Sequence, residues 1–522
     1  MAKRVRAISR FGAVAMAISL AGGLVACGTS NKAEQSTTPT RADATPVEAT
    51  QMPETPKGLE DFYNQDVKWK ECDKEYQCAT VKAPLDYDNP DGAKVDIALK
   101  KLPASSGKPI GTLFLNPGGP GGSGVEFVVA AKLTFSPALL SGFDIVGFDP
   151  RGVGDSTSIK CQPDNESGES KETDATANVE SGSGSTAEET EKEAADIAAQ
   201  CERHTRPAEL LDHVDTVSVA KDLDMLRALA GDPQLYYLGF SYGTLLGATY
   251  AELFPGNVGR LVLDGAADPS ISLAKRVEEQ ALSFEKALET FVATCQERED
   301  CPFSGNVEQG VQEVRNFLDE LNDNPLPVNG KDDAPVTSAE VKSMLQNAFY
   351  EDGIWPDVFT AFKKAWEGDA SKLREMSKLL ADQAGGDGDA VQNAIDCKDY
   401  PIEGNREEWD KQAEEIKQKA PVFGKGYTDL YCQTWGHHGT KERTEIKAKG
   451  AAPILVVGTT GDPATPYHWS EAMAKQLESG VLLTWEGNGH TAYGRSGECV
   501  TSTVDDYLLR GNLPENGKVC TG

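Results

Sequence analysis

Basic residues are under-represented in this chain. Lys and Arg number 51 against 82 Asp and Glu, so the 522 residues carry a formal net charge of −31. A surface of this sign repels the phosphates of nucleic acids, which argues against a nucleic acid partner. The same charge favours a soluble, well-hydrated exterior, but acidity alone identifies no substrate.

Histidine is scarce, and the usual spacings of zinc ligands are missing. The chain has six histidines, His437-His438 is their one adjacent pair, and neither C-x-x-C nor H-E-x-x-H occurs. Zinc sites in proteins are commonly built on those spacings. We therefore expect no metal site.

The apolar run near the amino terminus is too short for a permanent membrane-spanning helix. Residues 11–21 are apolar and follow four basic residues, as in a secretion signal. Leu24-Val25-Ala26-Cys27 then resembles a bacterial lipobox and is followed by polar residues. We expect loss of residues 1–26, lipidation of Cys27 by several acyl chains, and attachment to the outer face of the cytoplasmic membrane. The alternative is an ordinary signal peptide cleaved near the same alanine, which would give a secreted protein.

The remaining cysteines fit an exported protein. Eleven cysteines less Cys27 leave ten, an even number, and export makes disulfides the expected state. Proximity along the chain predicts the pairs Cys72 with Cys78, Cys161 with Cys201, Cys295 with Cys301, Cys397 with Cys432, and Cys499 with Cys520.

Two segments have the composition of flexible chain. Residues 27–66 are mostly rich in Thr, Pro, Ala, Glu and Gln, which predicts a tether between membrane and domain. Residues 162–200 form an acidic stretch rich in Ser, Gly, Glu and Thr. Such a stretch buries too little apolar surface to order itself, so we expect a disordered insert held at its base by Cys161 and Cys201.

Short apolar strands alternate with helices over residues 67–268 and again over 448–522. This alternation predicts an α/β fold with a mainly parallel sheet and helices on both faces. Residues 269–447 are instead helical, which predicts a cap inserted into one core. The expected strands are 81–85, 95–102, 112–115, 143–148, 235–238, 261–263, 454–458 and 481–485, and the clearest helices are 217–229, 245–254, 277–295, 311–321 and 358–366.

A serine between two glycines follows the strand predicted at 235–238. In Gly239-Phe240-Ser241-Tyr242-Gly243 the pattern is typical of a strained strand-to-helix turn that exposes the serine hydroxyl. Glycine is required on both sides because such a corner leaves no room for a Cβ atom. Taken alone, the five residues also fit an ordinary glycine-rich turn.

Two later residues complete the chemistry that a serine needs. A serine hydroxyl is a poor nucleophile unless a base accepts its proton and a carboxylate holds that base in place. Asp462 follows the strand 454–458, and His490 follows the strand 481–485. The order Ser, Asp, His is that of α/β-hydrolases, so we expect Ser241, Asp462 and His490 to form a catalytic triad. Singly, each of the later two also fits a turn or surface loop.

A glycine-rich loop at 116–124 follows the strand at 112–115, where an oxyanion-binding loop is expected. Proline has no N–H to donate, which removes Pro117 and Pro120. Gly119, or failing it Gly118, is the expected donor beside the N–H of Tyr242. No G-K-S/T follows the loop, so a phosphate site is disfavoured.

Several of these motifs together resemble the secreted bacterial tripeptidyl aminopeptidases, relatives of the prolyl aminopeptidases. The similarity extends from about residue 67 to 520, and the acidic insert departs from it. It implies an α/β-hydrolase fold with a helical cap, no cofactor, and release of short peptides from free N-termini through an acyl-enzyme on Ser241. The motifs that carry it are 116–124, 149–156, 239–244, 263–265, 397–399 and 461–466.

An exopeptidase needs a carboxylate for the substrate's ammonium. Glu126, Glu351 and Asp399 are candidates, but each is better explained as a solvated or structural charge, so none is assigned as the anchor. Arg151 is expected to brace the fold, and Thr465 to support the Asp462 loop or serve as a turn residue. Two other functions stay open: a carboxylesterase or lipase acting on envelope esters, and a catalytically silent, membrane-tethered binding protein.

Overall fold

The computed structural model describes residues 51–162, 186–328, 334–381 and 388–521. Cys27 and the predicted signal peptide lie outside the described residues. Ten strands form one sheet in the order β1-β2-β3-β5-β4-β6-β7-β8-β9-β10. The strands are β1 (Lys70–Asp73), β2 (Tyr76–Pro84), β3 (Lys94–Leu102), β4 (Thr112–Asn116), β5 (Asp144–Phe148), β6 (Leu235–Phe240), β7 (Val258–Asp264), β8 (Ile454–Gly461), β9 (Gly480–Asn488) and β10 (Lys518–Thr521).

The sheet is parallel from β5 through to β10, and β1, β2 and β3 add an antiparallel end. Every residue of β4, β6 and β7 is buried, which explains why these strands consist mostly of apolar residues. All the predicted strands overlap observed ones. The expectation of a mainly parallel α/β-hydrolase sheet is therefore confirmed.

Helices cover both faces of this sheet. One face packs against α5 and α6 and the other against α2, α3 and α16, in two separate apolar clusters. The helices are α1 (Glu60–Tyr63), α2 (Gly124–Thr134), α3 (Pro137–Gly142), α4 (Ala187–His204), α5 (Thr216–Ala230), α6 (Tyr242–Leu253), α7 (Leu273–Gln296), α8 (Val307–Asp323), α9 (Ser338–Ala348), α10 (Trp355–Trp366), α11 (Ser371–Ala381), α12 (Gly388–Asp399), α13 (Arg406–Lys419), α14 (Thr428–Trp435), α15 (Tyr467–Gln476) and α16 (Glu498–Arg510).

The helices α7 to α14 lie between β7 and β8 and cover the carboxyl ends of the strands. Those from α7 to α11 share an apolar core of their own, centred on Phe291, which contacts Phe349, Phe359 and Phe362. By contrast, α12 and α14 contribute buried side chains to the cluster on the sheet. The cap thus has a self-packed part and a part fused to the sheet.

Part of each segment expected to be flexible forms a helix. In the tether, Phe62 and Tyr63 of α1 are buried, and the Tyr63 hydroxyl donates to Asp224 over 3.0 Å. The prediction of tether up to residue 66 is therefore wrong, because two aromatic side chains bury enough surface to dock a chain of otherwise polar composition.

The prediction of a disordered insert over 162–200 is also wrong at its carboxyl end, which forms most of α4. Thr186 and Glu189 form a reciprocal capping box there, and the buried face consists of small residues such as Ala194 and Ala198. This face packs α4 against α14. Residues 163–185 lie outside the described residues.

The structure joins the ten described cysteines in five disulfides, which are the pairs expected from proximity. They are Cys72–Cys78, Cys161–Cys201, Cys295–Cys301, Cys397–Cys432 and Cys499–Cys520. Across the described ranges, no helix combines the length and the apolar character that a membrane crossing requires. Over those same ranges, no cluster of three or more His, Cys, Asp or Glu side chains is arranged to hold a metal ion.

Candidate active site

Ser241 occupies the tight corner between β6 and α6. Its backbone has φ 55° and ψ −125°, a conformation that non-glycine residues rarely adopt, and its N–H donates to the carbonyl of Asp264 over 2.9 Å. A Cβ atom at Gly239 would lie 2.4 Å from the carbonyl oxygen of Gly243, and one at Gly243 would lie 2.8 Å from that of Asn116. Both glycines are therefore sterically required, as the motif predicts.

His490 and Asp462 meet at the ends of β9 and β8. The Nδ1 atom of His490 lies 2.9 Å from each carboxylate oxygen of the buried Asp462. That carboxylate also accepts the N–H groups of Ala464, Thr465 and Thr491 at 2.8 to 3.0 Å. The Thr465 hydroxyl adds a further bond over 3.1 Å, so its predicted supporting contact is present. The contact places the ring proton on Nδ1 and leaves Nε2 to act as a base.

Ser241 and His490 line the same cavity of about 860 Å³, together with Gly119 and Tyr242. The cavity lies between the carboxyl ends of the strands and the cap. The structure thus brings the predicted nucleophile and base to one cavity, with Asp462 behind the imidazole.

The glycine loop distinguishes between the two candidate oxyanion donors. The N–H of Gly118 donates to the side chain of Asn116 over 2.9 Å. A Cβ atom on Gly118 would lie 2.8 Å from that of Ser241, so the loop runs directly against the nucleophile turn. Gly119 lines the cavity, and its N–H has no acceptor within the described part of the chain. This geometry favours Gly119, with Tyr242, as the donor pair.

Two residues at the site were not identified from the sequence. Tyr350, just after α9, accepts the backbone N–H of His490 over 3.0 Å and sets its ring edge-on to the imidazole, with centroids 4.9 Å apart. No local motif marks it, because the contact joins distant segments. Asp264 accepts the N–H groups of Ala492 and Tyr493, which ties the histidine loop to the nucleophile turn. Burial raises the pKa of Asp264 to about 6, and the nearby charge of Asp462 adds to the rise. The motif at 263–265 was its one sequence signal.

Two cap helices turn polar faces to the cavity. The lining positions on each helix recur at intervals of three or four residues, which places them on one side of the helix. The face of α9 presents Lys342, Ser343, Gln346 and Asn347, and that of α12 presents Asp389, Gln392, Asn393 and Asp396. We call these faces the α9 wall and the α12 wall.

None of the carboxylates proposed from the sequence as amine anchors lines this cavity. Asp399 accepts the N–H of Thr216 over 2.7 Å and also its hydroxyl. Glu351 forms an ion pair with Arg495 over 3.2 Å, and Glu126 is exposed on α2. Their surroundings favour the structural interpretation of each charge.

Arg151 is fully buried away from the cavity. It pairs with Asp222 through two of its nitrogens, at 2.8 and 2.7 Å, and donates to the carbonyls of Pro84 and Leu85. These bonds tie β2 to α5, so Arg151 braces the fold as expected.

Comparison with known proteins identifies the family. A family model described as TAP-like protein matches residues 420–520. The serine protease Hip1 of Mycobacterium tuberculosis is 33% identical over 459 residues, covering 85% of this chain and 87% of Hip1. The tripeptidyl aminopeptidase of Streptomyces lividans is 31% identical over 479 residues, covering 87% of this chain and 86% of that enzyme. The chain belongs to the tripeptidyl aminopeptidase family of α/β-hydrolases. This confirms the resemblance seen in the motifs.

Other relatives of this tripeptidyl aminopeptidase-like chain have esterase names. Carboxylesterase B of Mycobacterium tuberculosis is 34% identical over 461 residues, covering 85% of this chain and 86% of the relative. The relatives named serine protease, aminopeptidase and carboxylesterase are all hydrolases, and the chain shares the α/β-hydrolase fold. The chain is accordingly a serine hydrolase.

Proposed function

We propose that this tripeptidyl aminopeptidase-like hydrolase releases short peptides, tripeptides in particular, from the free N-termini of polypeptides. The observation that carries the proposal is the imidazole of His490, which a buried carboxylate holds in the cavity that the strained Ser241 also lines. The relatives named serine protease and tripeptidyl aminopeptidase support a peptide substrate.

The proposed reaction proceeds through an ester on Ser241. Nε2 of His490 accepts the hydroxyl proton as Oγ attacks the scissile carbonyl, and the N–H groups of Gly119 and Tyr242 stabilise the oxygen that becomes negative. The same imidazolium protonates the departing amine, and the C–N bond breaks. A water molecule, deprotonated by His490, then hydrolyses the ester and restores the hydroxyl. Asp462 holds the ring throughout.

The α12 wall is the proposed site for the free amine. Of its two carboxylates, Asp396 pairs with Arg276 over 2.6 Å. Asp389 is exposed to the cavity and has no hydrogen bond or ion pair to any residue that the structure describes. A charge-assisted hydrogen bond from a substrate ammonium to Asp389 would position the N-terminus at a fixed distance from Ser241.

The decisive experiment compares three substrates on one enzyme preparation. We expect hydrolysis of a free-amine tripeptide coumarylamide and little hydrolysis of its N-acetylated twin, because the acetyl group removes the cation. A p-nitrophenyl ester of medium chain length serves as the third substrate. Cleavage of the ester alone would assign the chain as a carboxylesterase, the second candidate function, which the 34% identity to Carboxylesterase B favours.

A fluorophosphonate probe tests the nucleophile independently of substrate choice. We expect labelling that disappears in Ser241→Ala. An unlabelled wild type would favour the silent, membrane-tethered binding protein instead.

We also propose that the protein is exported and held at the outer face of the cytoplasmic membrane by lipids on Cys27. The lipobox-like sequence at 24–27 and the ten disulfide-bonded cysteines support this. The variant Cys27→Ala should appear in the culture medium. Unchanged retention in the membrane fraction would contradict the anchor.

A further inference from the structure

The α9 wall extends from a point near the catalytic histidine toward the amino-terminal end of α9. Its apolar side chains Val341, Met344 and Leu345 pack into the core of the cap, which fixes the direction of the opposite, polar face. Tyr350, beyond the end of the helix, contacts His490. The inner end of the wall is therefore anchored at the reacting centre.

Lys342 lies at the outer part of this wall. It precedes Tyr350 by two helical turns, which corresponds to about 12 Å along the helix axis at about 1.5 Å per residue. An extended peptide advances about 3.3 Å per residue, so this separation corresponds to between three and four residues. With the reach of its own side chain, Lys342 can meet a group on the second or third substrate residue from the scissile carbonyl.

The charge of Lys342 is not offset by the protein around it. The side chain is half-buried, lines the cavity, and makes no hydrogen bond or ion pair with any described residue. The other cations of the cavity differ. Arg276 and Arg495 have the ion pairs given above, and Lys425 has Asp389 as an electrostatic neighbour. A partly buried ammonium without a counter-ion is a natural partner for a ligand carboxylate.

We propose that Lys342 determines specificity by binding a carboxylate on the acyl part of the substrate. The preferred peptide has Asp or Glu at the second or third residue from the scissile carbonyl. The inference rests on the proposed function. The substrate's ammonium goes to the α12 wall and its acidic side chain to the α9 wall, so the two walls bind opposite charges.

The test uses tripeptide coumarylamides with Glu, Gln or Lys at one position and Ala at the other two. For wild type we expect kcat/KM to favour Glu over Gln by about tenfold at the second or third position and by little at the first. Lys342→Gln should bring that ratio close to one, and Lys342→Glu should shift the preference from Glu to Lys. Lys364→Gln removes a cap lysine that is outside the cavity lining and should keep the wild-type ratio. Fluorophosphonate labelling of Ser241 checks that each variant is folded.

Equal rates for Glu and Gln at all three positions of wild type would overturn the inference and leave the peptidase assignment in place. A Glu preference that survives in Lys342→Gln would also overturn it. If only esters are cleaved, the proposed function fails, and Lys342 is tested with p-nitrophenyl hydrogen suberate and p-nitrophenyl octanoate. Lys342→Gln should then lower the rate on the suberate about tenfold and leave the octanoate rate unchanged. Equal effects on both esters would reject the role of Lys342.

Discussion

The two walls of the cavity are attached to different parts of the molecule. The helix that carries the α12 wall packs on the sheet through Ile395 and Cys397. It is bonded to α14 by Cys397–Cys432 and reaches α5 through the bond between Asp399 and Thr216. It also lies against the oxyanion loop, where a Cβ atom on Gly121 would come within 3.1 Å of Val391. The α12 wall therefore belongs to the same packed unit as the nucleophile.

The α9 wall belongs to the self-packed part of the cap. The apolar side of α9 packs in a cluster built mainly from cap residues. Its contacts with the site are the packing of Tyr350 against His490 and the neighbouring ion pair Glu351–Arg495. A ring contact, a backbone hydrogen bond and the ion pairs of Arg495 hold it to the catalytic layer. From this difference we infer that a change in the α9 wall disturbs the catalytic layer less than a change in the α12 wall.

Removing disulfides should expose this difference most strongly. In the chain-entropy description, the Cys397→Ala/Cys432→Ala pair opens a loop with a sequence separation of 35, and Cys295→Ala/Cys301→Ala one of 6. The expected losses in free energy of unfolding are about 4 and about 2 kcal/mol. Urea unfolding followed by fluorescence measures both. Residual peptidase activity should fall with the first pair only, and an equal loss of activity in both would argue against a fused α12 wall.

Asp389→Asn tests what the α12 wall binds. We expect KM for a free-amine tripeptide to rise roughly 10- to 30-fold because a charge-assisted bond is lost. The rate on a medium-chain ester should stay unchanged, since the ester has no ammonium. Asp357→Asn, on α10 away from the cavity lining, is the matched control. A parallel loss on the ester would show that Asp389 acts on structure and not on the amine.

Asp399→Asn tests how α12 is joined to the sheet. Burial raises the pKa of Asp399 to about 7, despite the opposing effect of Arg443. The folded protein therefore keeps this proton at pH values where the unfolded chain, with a pKa near 3.8, has lost it. Its contribution to stability is complete below about pH 4 and is lost as the pH rises through about 7.

We expect Asp399→Asn to reduce the fall in unfolding free energy between pH 4.5 and 7.5 by on the order of 1 kcal/mol. Asp232 and Asp264, whose pKa values are both raised to about 6, leave a residual slope of the same sign. Urea titrations at a series of pH values measure the difference. An unchanged slope would mean that Asp399 does not titrate in this range.

Tyr350→Ala should have the smallest effect, because it removes a ring contact from the α9 side while the backbone carbonyl remains. We expect kcat to fall about two- to fivefold, in line with the strength of an aromatic contact. Tyr350→Phe keeps the ring and should restore the rate. A loss as large in Tyr350→Phe would indicate that the hydroxyl, and not the ring, matters.

The residues that were predicted correctly from the sequence are those whose role is indicated by a local motif of a few neighbouring residues. Ser241 is flanked by the glycines its corner needs, and Asp462 and His490 each follow an apolar strand, so strand ends alone brought them together. Tyr350 and Lys342 carry no such signature. Their position depends on how the cap docks, which is a matter of contacts between distant segments.

The two wrong predictions of flexible chain, at the end of the tether and at the end of the insert, have a common physical cause. The sequence around α1 and around α4 is polar on average. Even so, α1 buries Phe62 and Tyr63, and α4 buries a face of alanines. Average composition does not reveal a few buried side chains on one face of a helix. The short strands β1 and β10 escaped prediction because most of their side chains are exposed and show no apolar alternation.

The backbone conformation of Ser241 lowers the thermal stability of the whole protein. A side chain held at φ 55° and ψ −125° is disfavoured by roughly 1 to 3 kcal/mol relative to ordinary geometry, and glycine tolerates that region far better. Ser241→Gly should therefore melt at a higher temperature than the wild type while hydrolysing nothing. The strained conformation of Ser241 thus lowers thermal stability while it holds the hydroxyl where it reacts. A homologue without this serine would be more stable but catalytically inactive.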